Sequence, residues 1–452
     1  DMAKIEPFKG VLYNLGMIDD ISKVVAPPYD VISEKMQEEY YSIHEKNVIR
    51  LILGKTQATD TASNNRYTRA REFLTDWLKE GVLVQDDKPA MYIYEQKYFF
   101  KEQLKTRLGF ISLLKIEDPH KSRVLPHEYT FPKPKKDRFE LLKATKTNMS
   151  PIYALFEDGD SGVIALLNKR ISEDPFIDVE KEGVAHRIWR LVDTETIGRV
   201  ADLMKKKQIL IADGHHRYEV SLNYRDWMRK RRKSAEKEAP YDYLMVHFSS
   251  LNPEALTVLS THRVIRSVKG LDIKKALEGL GEYFSVENSP SKDAMLSKIE
   301  GGSKGGFTYG MYHKEGGFFT LTLKDKKTLD DFIAEGKHYQ WKCLDVTILH
   351  QLIFDRVLKV KENVAKRDNI VYTRETDHAV KLVDEENYEI AFFLNPPRIE
   401  QIKDVAHSHD RMPRKTTYFY PKPLSGLVFY QHENDIVGSR GKGQEVRGEK
   451  YN

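Results

Sequence analysis

The chain has 452 residues, of which 40% are hydrophobic and 31% charged; that is enough apolar material for a large core split into two or three domains and excludes a disordered chain. Its formal net charge of +5 is small for this length and argues against a nucleic-acid partner, which usually needs a concentrated basic face. The one cysteine, Cys343, excludes internal disulfides and thiolate zinc clusters, and without a bilayer-length apolar run or an apolar leader block the expectation is a cytoplasmic protein with no membrane partner.

In chain order, a strand-like pattern from Ile5 to Val25 ends in Ala26-Pro27-Pro28-Tyr29-Asp30-Val31. The paired prolines fix an extended loop that presents Tyr29 and Asp30, and Asp30 can bind a metal or accept a proton. Taken alone, the loop reads better as a structural turn, with Ser33 capping the next helix. The apolar, β-branched run Asn47–Leu53 predicts a strand, Ala62–Lys79 an amphipathic helix closed by Gly81, and Met91–Phe100 with Leu104–Leu114 a hairpin.

From Val124 to Ile152 the residues His127, Glu128, Lys133, Lys135, Lys136, Asp137 and Arg138 fall in a stretch broken by Pro126, Pro132 and Pro134, which predicts an extended, charge-presenting loop. Lys133, Lys135, Lys136 and Arg138 suit nucleotide phosphates, and Glu128 suits magnesium or a general base. On composition, a solvated basic loop leading into a helix over Arg138–Ala144 fits equally well.

Strands are expected at Ile152–Phe156, Ile188–Val192 and Gln208–Ala212, with a helix over Thr194–Lys205. From Tyr218 the pattern is helical through Val220, Leu222, Tyr224, Trp227 and Met228, and the basic run Arg229–Lys233 complements that helix's carbonyl end. Tyr241–Ser249 and Thr257–Ile265 predict further strands. Near residue 268 the character changes to helices (Leu271–Tyr283, Lys292–Ile299) alternating with strands (Phe307–Tyr312, Phe318–Leu323), which predicts a second domain. Gly301–Gly306 lacks Walker spacing and reads as a connection. Asp345–Leu358 and Thr376–Glu385 predict helices, Ile390–Leu394 a strand, and His407, His409 and Asp410 a polar loop. Lys415-Thr416-Thr417-Tyr418-Phe419-Tyr420-Pro421-Lys422 mixes cations and aromatics and suits the wall of a ligand pocket.

Asp213-Gly214-His215-His216 is then a strand-to-helix turn. The first amides of such a helix lack intrahelical partners and its dipole is positive there, so the turn favours a phosphate. Gly214 lets the backbone approach closely, the two imidazoles and Arg217 add donors, and Asp213 can hold a cation or a hydroxyl. A helix cap with two satisfied surface histidines is the plainer alternative.

Asp213-Gly214-His215-His216-Arg217-Tyr218 resembles the signature turn of the ParB/sulfiredoxin-like superfamily in the version carried by free-serine kinases. Together with Leu125-Pro126-His127-Glu128, Pro132–Leu142, Asn148–Ile152 and Lys415–Leu427, it resembles the family catalogued as domain of unknown function 1015, over nearly the whole chain. The resemblance implies a mixed α/β (α+β) fold. A ParB/sulfiredoxin-like core at about residues 184–250 would be embedded in a larger mixed-sheet domain over 2–268, followed by a second α/β domain over 269–437 and a mobile tail over 438–452. It also implies a kinase that transfers phosphate from ATP or ADP, with Mg2+, to the hydroxyl of free L-serine. Gly214, His215, His216, Arg217, Lys133, Lys136, Arg138 and Lys415 would then hold phosphates. Asp213, Glu128 and Asp30 would be the catalytic carboxylates, Asp213 also the metal ligand, and His127, Tyr29 and Tyr418 would meet the acceptor. His215 stands where sulfiredoxin needs cysteine, so sulfur redox chemistry is not expected. The alternatives are a ParB-like nucleotide-binding or nucleotide-hydrolysing DNA-associated protein and a noncatalytic nucleotide or phosphometabolite sensor; no helix-turn-helix module supports the first.

Overall fold

A computed structural model describes residues 3–117, 122–159, 162–171, 174–232, 238–266, 271–302, 306–331, 337–360, 369–408, 410–413 and 415–432. The chain builds a mixed α/β fold around two sheets. The larger has nine strands. Eight follow the order Val124–Leu125, Ile209–Asp213, Ile152–Phe156, Tyr243–Ser250, Gln103–Lys115, Met91–Phe100, Val184–Leu191 and Ile177–Lys181, and Ile5–Glu6 is added beside Gln103–Lys115. The smaller has six, in the order Phe284–Ser289, Gly317–Leu323, Thr308–His313, Ile390–Phe393, His262–Ile265 and Ile370–Thr373.

Strand Ile209–Asp213 alternates side chains between two buried faces. Ile209 and Ile211 pack with Val200, Met204 and Tyr218 on the side of helix Thr194–Met204. Leu210 and Ala212 join Tyr153 and Leu155 in the apolar cluster that also holds Ile265, Tyr309 and Phe392 of the six-stranded sheet. The two sheets therefore share a core beside this strand. Its register against Ile152–Phe156 shifts between Ile211 and Asp213, a bulge of the kind that turns a strand-end side chain out of the pairing pattern.

Several expectations change for local reasons. Residues 49–52 form a short helix rather than a strand. Asn47 Oδ1 accepts from the Ile49 amide at 2.8 Å and its amide nitrogen donates to the Lys23 carbonyl at 2.7 Å, so it starts a helical turn within an apolar run too short to show its period. The expected loop after Phe131 is the helix Pro132–Thr145. Its prolines sit in the first turn, where a missing N–H costs nothing. The helix after Gly214 starts at His215, one turn before its apolar pattern begins. Residues 345–357 are helical, widening to π-type turns over Leu349–Val357.

The division expected at residue 268 does not coincide with the sheets. Thr257–Val258 pairs with Phe419–Tyr420, whereas His262–Ile265 already lies in the six-stranded sheet. The segment after Lys415 returns to the N-terminal region: Ser425 bridges to Ala26, Phe429 to Val11, and Tyr430–Gln431 pairs with Thr147–Asn148. The expected tail over 438–452 lies outside the described residues, as do Lys233 and 303–305 of the glycine-rich stretch.

Candidate phosphate-binding cleft

The cleft opens at the carboxyl end of Ile209–Asp213, with about 340 Å³ of internal space. Tyr29, Asp30, Glu128, Tyr129, Phe131, Pro134, Asp213, Gly214, His215, His216, Arg217 and Lys415 line it. Four separate segments of sequence thus meet at one turn.

Gly214 has φ of +94°, a conformation that side-chain-bearing residues resist, and a β-carbon there would come within 3.0 Å of the Arg217 guanidinium. The chain can therefore turn sharply into helix His215–Arg232, with the Tyr218 amide donating to the Gly214 carbonyl at 2.9 Å. Arg217 is fixed by the Pro151 carbonyl at 2.6 Å and by Asp213 Oδ2 at 2.6 Å. The two histidines brace neighbouring loops: His215 Nε2 accepts from the His127 amide at 3.3 Å and His216 Nε2 from the Phe131 amide at 3.1 Å.

His127 is fully buried, and its ring meets His215 edge to face at 4.7 Å. Burial lowers the His127 pKa to about 3 and, reinforced by surrounding positive charge, holds His215 well below the ordinary histidine range. Both rings are neutral at pH 7 and act as fixed dipoles rather than cations.

The carboxylates divide into two environments. Asp30 Oδ2 and Asp213 Oδ1 both accept from the ammonium of Lys422, at 2.8 and 2.5 Å. Burial works against the charged form of Asp30, but Lys422 and Arg217 outweigh it and keep Asp30 well below the usual carboxylate range. Burial likewise opposes the Lys422 charge, and Asp213 and Asp30 overcome it, so Lys422 stays ionised. Glu128 differs. Its Oε1 accepts from the Thr417 hydroxyl at 2.9 Å, and burial raises its pKa despite Thr417 and Lys415 pulling the other way. Environments that push neighbouring acids apart in this way separate a proton acceptor from permanently charged groups.

The residues do not form a ready-made metal centre. Both oxygens of Asp213 are engaged, by Arg217 and Lys422, and among the described residues no group of three or more histidine, cysteine, aspartate or glutamate side chains could hold a metal ion.

A family model described as "Protein of unknown function (DUF1015)" matches residues 5–347. The chain belongs to that family. No curated protein matches it. Similar solved structures include a free serine kinase in complex with AMP, 12% identical over 68% of this chain and 86% of that one, with a TM-score of 0.33. A conserved hypothetical protein from Pyrococcus furiosus is 12% identical over 69% of this chain and 92% of that one, TM-score 0.33. SbnI with C-terminal truncation from Staphylococcus aureus is 11% identical over 70% and 85%, TM-score 0.33. Likeness at this level carries no argument about what this chain binds or does.

Of the residues singled out from the sequence of this DUF1015 member, Tyr29, Asp30, Glu128, Asp213, Gly214, His215, His216, Arg217 and Lys415 come together in the cleft. Lys133 and Lys136 do not: once residues 132–145 are helical, both are exposed on the first turn, outside the lining. Arg138 is buried and occupied, giving Nη1 to the Ile52 carbonyl at 2.6 Å and Nε and Nη2 to Asp137 Oδ2, with its guanidinium 4.0 Å above the Tyr29 ring. It shapes the wall behind Tyr29, whose phenol burial pushes up to about 12. His127 lies beneath the cleft rather than on it. Tyr418 stands behind Lys422, with its ring between that ammonium at 5.2 Å and the Arg374 guanidinium at 3.9 Å.

The expected polar loop at 407–410 is also different. His407 ends helix Ile399–His407, His409 lies outside the described residues, and buried Asp410 accepts from Lys337 at 2.9 Å and the His338 amide at 3.1 Å. Two residues escaped the sequence reading. Glu219, one turn along the helix, accepts from Thr130, Lys135 and Arg411 at 2.5, 3.0 and 2.9 Å and ties the loop and the chain before Lys415 to it. Lys422 was visible only as one cation of an aromatic-basic motif.

No described helix is long and apolar enough to cross a membrane.

Proposed function

We propose that this protein is a nucleotide-dependent phosphotransferase acting on the hydroxyl of a small molecule, with free L-serine as the acceptor to test first and ATP or ADP as donor. The observation that carries this reading is Glu128. It is a half-buried carboxylate of raised pKa, hydrogen-bonded to Thr417 and with no ion-pair partner among the described residues, on the same cleft as a glycine-opened helix N-terminus and the cations Arg217 and Lys415. Phosphoryl transfer asks the protein for little else: a cradle for the phosphates, positive charge for the transferring group, and an acceptor for the hydroxyl proton.

In this reading the opening amides of helix His215–Arg232, Arg217 and Lys415 hold the donor's phosphates. The acceptor hydroxyl attacks the terminal phosphorus, an O–P bond forms, the bridging P–O bond to the nucleotide breaks, and the proton passes to Glu128. Neutral His127 and His215 hold the loops of Glu128 and Gly214 in register. Tyr29 offers an aromatic wall beside the same turn. The choice of serine comes from the resemblance of the Asp213–Tyr218 turn to free-serine kinases. The test is phosphoserine formation from L-serine with magnesium and ATP or ADP, followed by mass spectrometry, with Asp213→Ala as the control; a wild type that makes no phosphorylated product with either nucleotide contradicts this reading.

A further inference from the structure

Lys422 is 8% exposed along its side chain, and a lysine so placed is normally matched by one carboxylate and water. Here two carboxylates far apart in the sequence, Asp30 and Asp213, converge on its ammonium, and the Tyr418 ring closes one side. Both carboxylates line the cleft with Gly214 and Arg217. The ammonium therefore lies at the site where hard oxygens would otherwise gather round a divalent cation.

The backbone carrying Lys422 is held by a second cation. Arg107 is 1% exposed, and among the described residues no carboxylate hydrogen-bonds to it. Its guanidinium instead donates to Gln96 Oε1 and to the carbonyls of Tyr420, at 3.3 Å, and Pro421, while lying 4.6 Å above the Tyr153 ring. Gln96 Nε2 donates in turn to the carbonyl of Lys422 itself, at 3.3 Å. Three consecutive carbonyls, of residues 420, 421 and 422, are thus gripped from beneath by side chains of the nine-stranded sheet. Such a grip fixes the main chain and leaves the four-carbon stem of Lys422 as the moving part.

We propose that Lys422 is a further cation of the phosphate site: it is held between Asp30 and Asp213 and transfers at least one of its hydrogen bonds to a phosphate oxygen of the incoming ligand. The ligand class is a nucleoside diphosphate or triphosphate, and that identification rests on the phosphotransferase reading. Asp30 and Asp213 are then positioning residues for the lysine, and the phosphate-binding step needs no metal ion. A charge-assisted hydrogen bond of this kind contributes about ten- to a hundredfold in affinity.

The test is calorimetric titration of ADP and of adenosine, in EDTA, against the wild type, Lys422→Met and Asp30→Asn. ADP binds the wild type more tightly than adenosine does. Lys422→Met loses about tenfold or more for ADP with adenosine unchanged, and Asp30→Asn, which removes one of the charges that hold the lysine, keeps or improves ADP affinity. If Lys422→Met does not fold, by circular dichroism, Lys422→Gln replaces it and must show the same loss. ADP affinity unaltered by either Lys422 substitution, or abolished in the wild type by EDTA, overturns the proposal. If the wild type binds neither ADP nor adenosine, the nucleotide reading fails on its own, and inorganic pyrophosphate tests the lysine: binding by the wild type that is lost in Lys422→Met supports it, and no binding overturns it.

Discussion

Glu128→Gln separates the chemistry of the cleft from its architecture. The amide keeps an oxygen where Glu128 Oε1 accepts from the Thr417 hydroxyl at 2.9 Å, so the geometry of the loop is retained and only the proton-accepting group is lost. Removing a general base costs about 10²- to 10⁴-fold in turnover, or about 3–5 kcal/mol of transition-state stabilisation, with little change in nucleotide affinity. Stability should move the other way. Burial raises the pKa of Glu128 in the folded protein, so its stabilising contribution is complete below the unfolded-state value and is lost as pH rises through the folded one. Where it is ionised the group works against folding, and the variant, which never ionises, should melt higher. The assays are steady-state kinetics across pH and thermal melting at pH 7. Wild-type kcat/KM should fall on its acid side with an apparent pKa above the ordinary glutamate value, and the variant's residual activity should lack that limb. A variant with wild-type turnover, or one that loses turnover and melts lower, refutes the assignment of Glu128 as the base.

Other consequences concern the frame of the cleft. His127, His186 and His432 are buried with pKa values lowered to about 3, His262 to about 4, and His215 and His247 well below the ordinary range, in each case chiefly by burial. Their neutral forms stabilise the fold above the unfolded-state value near 6.5, and that contribution is lost as pH falls toward the folded values. The unfolding free energy from urea titration should therefore drop between pH 6.5 and 4, by about 1.4 kcal/mol per pH unit for each proton excluded from the native state; a flat profile would show that these rings are not held neutral. Gly214→Ala places a side chain at φ +94° and within 3.0 Å of Arg217, which should cost about 1–2 kcal/mol of stability and weaken ADP binding in a calorimeter; wild-type values for both would remove the turn from the site. Arg107→Met strips donors from Gln96 Oε1 and two carbonyls, at about 1–3 kcal/mol for each buried acceptor left unpaired, so urea unfolding should show a loss of several kcal/mol, and an unchanged midpoint would mean that the 420–422 segment is held by other contacts.

The strand-to-helix turn at Gly214 was legible because its requirements are local. A glycine between an apolar strand and a helical pattern marks such a turn within six residues. The helix Pro132–Thr145 was misread because prolines signal breaks in general but starts when they fall in a first turn, and that error displaced Lys133 and Lys136 from the cleft. The short helix at 49–52 was hidden because three buried apolar residues around Arg50 are too few to show a period. Lys422 depends on something no local pattern carries: the chain must pass through the six-stranded sheet, return, pair Phe419–Tyr420 with Thr257–Val258, and be gripped by Arg107 before the ammonium can reach Asp30 and Asp213. The motif Lys415–Lys422 marked the segment as one of cations beside aromatics, and nothing in it distinguished Lys415, at the cleft wall, from Lys422, paired with Asp30 and Asp213.

The central claim is that this cleft transfers a phosphoryl group to a small hydroxyl acceptor, and the most direct measurement is mass spectrometry of reactions containing purified protein, magnesium, L-serine and ATP or ADP. The account predicts phosphoserine with the wild type and a loss of about a hundredfold or more with Glu128→Gln. Absence of any phosphorylated product with both nucleotides would contradict it.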